Sequence, residues 1–506
     1  MKREEKRVKE KTEALKEDSK ARVMIEFADF DGNLVSEKLD ATLNLTTTAL
    51  NEVLGRVLGE TDETYTFFFE GYEIQENLKE LLVQFPEKKI KNELNLRLQY
   101  LPETPFRVKP VTRISSSLDG HTQPVLDITF SPNNKYLASA SGDKTIRLWD
   151  VLTETGSFKL EGHEAWVLAL SWSPDSSLLT SGDEVGTVIV WRVAELLGSS
   201  KNRKDPEASA RHRTIFPGHK SFVTSISWRP FNVSGEVDRF VSSSKDATLR
   251  FWSRKTGKCL KVGARHSKSV TRVVWGGEDF VYSCSQDTTV ILWTAEGEFV
   301  SEFRGHAHWV NCLALNTYHL LRAGYFEFAD LQAAKPLDDE PVESRHLKAK
   351  KIFNAFLAKV GPEVFVTASD DHTLMLFDRT KGAKCVRQYP GHTAPVNQVQ
   401  FAPNGVLFVS ASFDKTLKLW SSKSAGCLAT LRGHLAQVYT LAFSKDSRWF
   451  VSGSKDSTIQ VWSVKDRKRA YQLPGHADEV FAVDWAPDGV RLASGGKDKM
   501  VRIWRN

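Results

Sequence analysis

Three side chains able to do acid–base and nucleophilic chemistry recur together along this chain: a histidine, a serine and an aspartate. They stand at His121, Ser139 and Asp143, at His434, Ser452 and Asp456, and at His476, Ser494 and Asp498. In a hydrolase such a set makes a nucleophile, the histidine taking the serine proton while the carboxylate orients the ring. Repetition argues against that use, because an active site is built once and this set is built again and again. Each copy also carries a tryptophan ten residues after its serine, at Trp149, Trp462 and Trp504. Histidine, serine, aspartate and indole N–H then satisfy one another between strands, which matters because a buried polar group without a partner costs about 1–3 kcal/mol. The sequence has no phosphate-cradling Gly-x-x-x-x-Gly-Lys-Ser/Thr loop and no His-Glu-x-x-His helix, so an enzyme is not expected.

The elements that must hold these residues repeat with a period of about forty positions. Copies open on Gly-His at His121, His163, His219, His306, His392, His434 and His476, and a degenerate one opens on Arg265-His266. They close on Trp149, Trp191, Trp252, Trp293, Phe377, Trp420, Trp462 and Trp504. In the last copy, 480–485, 490–494 and 500–504 read as strands joined by turns at Asp488-Gly489 and Lys497-Asp498-Lys499. A fourth strand follows the tryptophan, as at Lys258-Cys259-Leu260 and Cys427-Leu428-Ala429, so four-stranded blades around a channel fit the pattern. The chain ends two residues after Trp504. The outer strand of the last unit must therefore come from ahead of the first repeat, within residues 107–117.

Two substitutions, Arg265 for glycine and Phe377 for tryptophan, predict less regular fourth and fifth units. The fifth also carries an insertion at about 316–361, with an acidic, proline-bounded piece and then a basic helix over 347–360 that directs Leu347, Ile352, Phe356 and Val360 inward.

Ahead of the repeats, residues 1–20 are a charged tail with almost nothing to bury and are expected to be disordered. Residues 21–102 read as a small α+β domain. A strand at 23–27, a turn at Asp31-Gly32 and a returning strand ending over 42–45 are followed by a helix with Leu50, Val53, Leu54, Val57 and Leu58 on one face behind Thr47 and Thr48 as caps. A strand at 65–69, a short helical stripe through Leu78, Leu81, Leu82 and Phe85, and a strand with Leu94, Leu96, Leu98 and Tyr100 inward complete the order of a ubiquitin-like β-grasp. A hinge over 102–110 leads into the ring domain, 103–506.

Composition agrees with this division. At 506 residues, 41% hydrophobic and 26% charged, the chain is long enough for two unequal globular domains and has no apolar run approaching a bilayer span. Its first residues lack the apolar core of a secretory signal, and no membrane role is expected. Five cysteines without a Cys-x-x-Cys pair point to neither a disulfide framework nor zinc; Cys259 and Cys427 are expected as reduced, buried packing residues. A net charge of +6 is a weak basic bias, compatible with an RNA-rich neighbourhood.

Gly-His to Trp with an internal Asp turn resembles the WD40 family, which implies a mainly β protein, an eight-bladed propeller preceded by the ubiquitin-like domain. The joining segment from Phe106 to Arg113, the closing run from Leu473 to Val480, the Ser494-Gly495-Gly496-Lys497-Asp498-Lys499 stretch and the Arg322-Ala323-Gly324-Tyr325 opening of the insertion narrow this further. Together they are similar to the Notchless family of large-subunit ribosome assembly factors. That resemblance implies a nuclear protein of nucleolus and nucleoplasm, acting as a monomer within pre-60S particles among ribosomal proteins, assembly factors and rRNA. It also implies that the amino-terminal domain docks on the metal-ion-dependent adhesion site of midasin, a large AAA+ ATPase.

The family's key glutamate precedes the proline of a Tyr-x-Pro by nine positions, and Tyr100-Leu101-Pro102 places it at Glu93. By the resemblance, Glu93 completes the coordination of a Mg²⁺ held by the partner, and the chain needs no cofactor or metal of its own. Mg²⁺ favours hard oxygen ligands, which suits a projecting carboxylate. Pro102-Glu103-Thr104-Pro105 departs from the family's usual hinge. Two other readings compete. A ubiquitin-ligase substrate adaptor would want Trp-Asp-x-Arg, whereas Trp149-Asp150 continues Val151-Leu152. The other midasin-binding propeller factor should have seven blades.

Overall fold

The computed structural model describes residues 22–28, 34–59, 65–69, 72–74, 76–81, 95–102, 107–199, 210–327, 331, 340–424 and 426–506. The charged tail 1–20, the Asp31-Gly32 turn, Leu82, Phe85, Leu94 and Glu93 lie outside the described residues. The chain divides into two compact units, Met1–Arg107 and Val108–Asn506.

In the first unit β1 (Arg22–Ala28) pairs antiparallel with β2 (Leu39–Thr42), β3 (Tyr65–Phe69) pairs antiparallel with β4 (Tyr72–Ile74), and β5 (Asn95–Pro102) lies between β1 and β3. The sheet order is β2-β1-β5-β3-β4, with β5 parallel to β1. The returning strand ends at Thr42, short of the 42–45 expected from the sequence, and β4 adds a strand that the sequence pattern does not mark.

Helix α1 (Thr47–Leu58) starts one residue after its cap: Thr46, not Thr47 or Thr48, accepts the Ala49 N–H at 3.3 Å through its hydroxyl. At its other end Gly59 takes a left-handed φ of 74° and closes the helix. Leu50 and Leu54 point from α1 into a core shared with Leu78, Leu81, Leu96 and Leu98, while Val57 stays exposed.

The second unit consists of eight four-stranded antiparallel sheets. Sheets 1 to 7 run in chain order from Val125–Phe130 to Lys468–Leu473. Their innermost strands neighbour one another successively, and that of sheet 8 (Val480–Trp485) abuts that of sheet 1 (Val125–Phe130), so the ring is closed. Side chains on these inner strands stitch sheet to sheet. The Asp484 carboxylate accepts the Phe130 N–H at 2.7 Å, Gln398 accepts the Leu441 N–H at 2.7 Å, and Asn397 donates to the Tyr439 carbonyl at 2.7 Å.

Sheet 8 obtains its outer strand from ahead of the repeats. Strand β6 (Arg113–Leu118) pairs antiparallel with Val501–Arg505, from Val501 opposite Leu118 to Arg505 opposite Arg113. The Arg505 guanidinium then reaches Glu154 of sheet 1 at 2.5 Å, and the Ser115 hydroxyl donates to the same carboxylate at 2.8 Å. The two ends of the unit are thereby tied to each other and to the neighbouring sheet.

Among the described residues, helices interrupt sheets 2, 3 and 5. Helix α2 (Val193–Ser199) follows the third strand of sheet 2, and α3 (Phe231–Ser234) lies between the first two strands of sheet 3. The insertion of sheet 5 fills the space between Val310–Leu315 and Val364–Ser369 and contains α4 (Tyr318–Ala323) and α5 (Val342–Val360). Helix α5 begins earlier than the sequence pattern indicated, and its buried residues are Ala349 and Phe353, with Ile352, Phe356 and Val360 half-buried. Leu347, expected inward, is 66% exposed.

The cysteines are all free, but the two expected as packing residues are half-buried (Cys259) and exposed (Cys427), because the strand after the tryptophan is the solvent-facing edge of each sheet. The buried thiols are Cys284 and Cys312 on second and first strands.

Candidate functional site

The recurrent trio is assembled on one plan in every sheet but the fifth. In each, the histidine precedes the first strand, the serine lies on the second, the aspartate opens the turn to the third, and the tryptophan closes the third. His121 Nδ1 lies 2.8 Å from the Asp143 carboxylate and Nε2 lies 2.8 Å from Ser139 Oγ, which accepts the Trp149 indole N–H at 2.9 Å. The sets at His434, Ser452, Asp456 and Trp462 and at His476, Ser494, Asp498 and Trp504 repeat these contacts within 2.7–2.9 Å.

The aspartate does a second job, accepting from its own turn: Asp143 receives the Thr145 N–H at 3.0 Å and hydroxyl at 2.6 Å. Burial works against the charge of Asp143 and Asp456, but the histidine and threonine bonds outweigh it and hold both carboxyls below the usual range.

The serine that a hydrolase would use is fully buried in all three sets and already holds two partners. A substrate has no approach to it. The geometry is that of a peg joining the loop ahead of the first strand to the turn beyond the second, with the indole packed beneath.

Sheet 4 departs in sequence but not in geometry. His266 keeps Asp287 and Ser283 at 2.8 Å each, and Trp293 donates to Ser283 at 2.8 Å, so the expected irregularity is absent. The reason lies two residues ahead of the tryptophan. In sheet 1 Arg147 occupies that position and closes over Gly120, where a Cβ would meet the guanidinium at 2.5 Å. Sheet 4 has the apolar Ile291 there instead, and Arg265 turns outward over the Phe299 ring at 3.7 Å.

Sheet 5 does differ. Thr367 replaces the serine at 2.7 Å from His306, Phe377 offers no donor, and the Thr367 hydroxyl bonds the Met375 carbonyl at 3.3 Å, as Ser283 of sheet 4 bonds that of Ile291. The aromatic packing of the tryptophan-bearing sheets 3 and 6 is kept, with Phe365 and Phe377 stacked at 5.2 Å between centroids and Phe303 edge-on to both.

These connections give the ring two unlike faces. One carries the histidine loops and the turns between second and third strands. The other carries the turns between first and second strands, and the sheet 5 insertion spreads across it. Within that insertion Gly324 takes a left-handed φ of 63° where a Cβ would lie 2.5 Å from the Pro174 carbonyl of sheet 2. Tyr325 packs at a tilt against Phe231 of sheet 3, 5.1 Å between centroids, Phe353 packs on Gly277 of sheet 4, and Phe356 covers Gly405 of sheet 6.

Helix α4 reaches the channel, a cavity of about 550 Å³ lined by the inner strands together with Tyr318, Leu321 and Arg322. There the Arg322 guanidinium pairs with both oxygens of Asp484 on sheet 8 and donates to Thr129 Oγ1 and the Phe130 carbonyl of sheet 1, each at 3.3 Å. Burial pushes the nearby Asp127 carboxyl up to about 7, and burial together with the Arg322 charge pulls the Lys445 ammonium down to about 8. No sequence periodicity pointed to this cluster, although Arg322 stands in the stretch that opens the insertion.

Among the described residues no group of three or more His, Cys, Asp or Glu side chains could hold a metal ion, and no helix is long and apolar enough to cross a membrane. Glu93 lies outside the described residues.

A closed ring of sheets pegged by His–Asp and Ser–Trp bonds defines a WD40-repeat scaffold. The WD domain, G-beta repeat profile matches residues 112–150, 155–192, 210–253, 257–294, 383–421, 425–463 and 467–505, every sheet except the one carrying the insertion. Protein Notchless of Drosophila melanogaster is 39% identical over 381 residues, covering 74% of this chain and 73% of that protein. Ribosome assembly protein 4 of Saccharomyces cerevisiae is 35% identical over 394 residues, covering 74% and 72%. Among solved structures, the computationally designed Ika8 protein matches with a TM-score of 0.57 and 25% identity over 77% of this chain and 98% of its own. The chain belongs to the Notchless family of WD40-repeat proteins.

Proposed function

We propose that this protein is a non-enzymatic assembly factor of the large (60S) ribosomal subunit. Its ring docks on pre-60S particles in the nucleolus and nucleoplasm, and its amino-terminal unit binds the metal-ion-dependent adhesion site of the AAA+ ATPase midasin, coupling ATP-driven remodelling to factor release. The observation that carries this reading is the 35% identity, over nearly three quarters of both chains, to a protein named for ribosome assembly.

The fold supports it in two ways. Eight sheets around one channel read as an eight-bladed propeller, whose closure leaves only short outer edges and suits a body that must stay folded under load. The order β2-β1-β5-β3-β4, with a parallel central pair and α1 against one face, reads as a ubiquitin-like domain. In this account Glu93 supplies one oxygen to a Mg²⁺ held by midasin, and the chain contributes no cofactor of its own. The protein acts as a monomer within the larger assembly.

The test is retention of the purified midasin adhesion-site domain by the full chain and by Glu93→Ala, with Mg²⁺ and with chelator. The wild type should retain the domain only with Mg²⁺, and Glu93→Ala should lose it. Equal, metal-independent retention by both would exclude the ligand role.

A further inference from the structure

We propose that the histidine-loop face of sheets 3 to 5 is an RNA-docking surface, resting on the assembly-factor reading above and naming the partner class that this sector meets. The insertion occupies the opposite face of the ring and reaches the channel from that side. The histidine-loop face is left for a large ligand, and its charge is unevenly spread.

Over sheets 3 to 5 its exposed charged side chains are Lys220, Lys245, Arg265, Lys268 and Arg304. The carboxylates of the same loops are engaged internally. Asp246, Asp287 and Asp371 are bound to their histidines, and Asp370 accepts from Asn311 at 2.6 Å. Among the described residues Arg304 alone of the five cations forms a side-chain ion pair, with Glu302 at 2.7 Å, while Lys220 gives only its backbone N–H to Asp246. Across the ring, over sheets 8, 1 and 2, the same face mixes exposed Lys144, Lys497 and Lys499 with exposed Asp119 and Glu164 and half-buried Glu184 and Asp478, Lys497 lying 3.5 Å from Asp478. Sheets 6 and 7 continue the basic surface with Lys415, Arg432 and Lys455, so the exposed acids of this face are confined to sheets 8, 1 and 2.

Aromatic rings interleave with those cations. Trp309 is 40% exposed and packs beside His308 at 5.3 Å between centroids. Lys245 sits 4.7 Å over Phe222 and Arg265 sits 3.7 Å over Phe299, so these charges are held by ring faces rather than neutralised by carboxylates. The arginine that displaces the repeat glycine of sheet 4 thereby adds a guanidinium to this sector at no cost to the peg beneath it.

Cations track a phosphate backbone, and an exposed indole offers a stacking platform to an unpaired base, which an acidic peptide has no flat group to use. Unpaired or looped RNA is the ligand this combination fits.

The test is fluorescence polarisation of a labelled oligouridylate with the purified full chain across a salt series. Lys220→Glu with Lys268→Glu should weaken binding at least about tenfold and flatten the logarithmic salt slope by roughly 0.7 per lost phosphate contact. Trp309→Ala should weaken it about tenfold with the slope unchanged. Lys499→Glu, on the mixed sector, should change it less than about twofold. Unaltered melting temperatures show that the variants remain folded.

No binding by the wild type, an equal loss in Lys499→Glu, or polyglutamate binding as tightly as RNA with no effect of Trp309→Ala would each overturn the proposal, the last in favour of an acidic polypeptide. Co-sedimentation with pre-60S particles separates the two claims. A wild type that binds oligouridylate but does not sediment with particles leaves the surface standing and sinks the assembly reading; the reverse result does the opposite.

Discussion

The repeat is broken in two places, and they break in opposite ways. At the seam between sheets 8 and 1 the chain runs out, and a strand from the other end of the unit, β6, fills the gap so well that the last peg, His476 with Asp498, Ser494 and Trp504, matches those of uninterrupted sheets. In sheet 5 the chain has too much: the indole donor is missing at Phe377, and the insertion leaves the sheet between its first and second strands. The two irregularities meet. Arg322 of the insertion crosses the channel to bond Asp484 of sheet 8 and Thr129 and Phe130 of sheet 1, the two sheets that form the seam. A ring without a covalent closure is therefore held at its junction from the outside by β6 and from the inside by a side chain belonging to the far side.

The largest expected effect is at the seam. Trp504→Ala removes a fully buried indole and leaves Ser494 without its donor, which should lower stability by about 3–5 kcal/mol, read as a fall in the thermal or urea midpoint. An unchanged midpoint would mean the clasped sheet contributes little.

Arg322→Ala comes next. It strands the Asp484 carboxylate in the channel and should cost about 2–3 kcal/mol, less than a wholly buried pair because Arg322 keeps some solvent contact. Arg322→Ala should also raise protease sensitivity of β6 more than that of sheet 3, a difference that would vanish if the insertion were a passive excursion.

The smallest effect concerns acid. Every peg aspartate has its carboxyl held below its ordinary value, so each contributes stability that is complete above the unfolded carboxylate range near pH 4 and is lost as pH falls through the folded value. Melting temperature should begin to fall below about pH 5 and keep falling below pH 3, and Asp498→Asn should show a shallower drop than the wild type.

How much was legible follows from what carries a period. The pegs, the turns and the need for an outer strand could be read because each copy states the same residues at the same spacing, and the strand sought within 107–117 lies at Arg113–Leu118. Leu347 misled because a helix on the surface of a ring buries a stripe set by the sheets beneath it, here Ala349 and Phe353, rather than by its own apolar content. Cys427 misled because edge strands face solvent. Arg265 looked like a defect only because the compensating residue, Ile291, sits on another strand. Arg322 and Asp484 are 162 positions apart and belong to no repeat, so nothing local marks them as partners.

Hydrogen exchange over residues 113–118 tests the closed ring most directly. Exchange there is expected to be slow, matching residues 501–505 with which they pair, and to accelerate selectively in both segments in Arg322→Ala. Exchange of residues 113–118 at the rate of an open loop in the folded protein would contradict it.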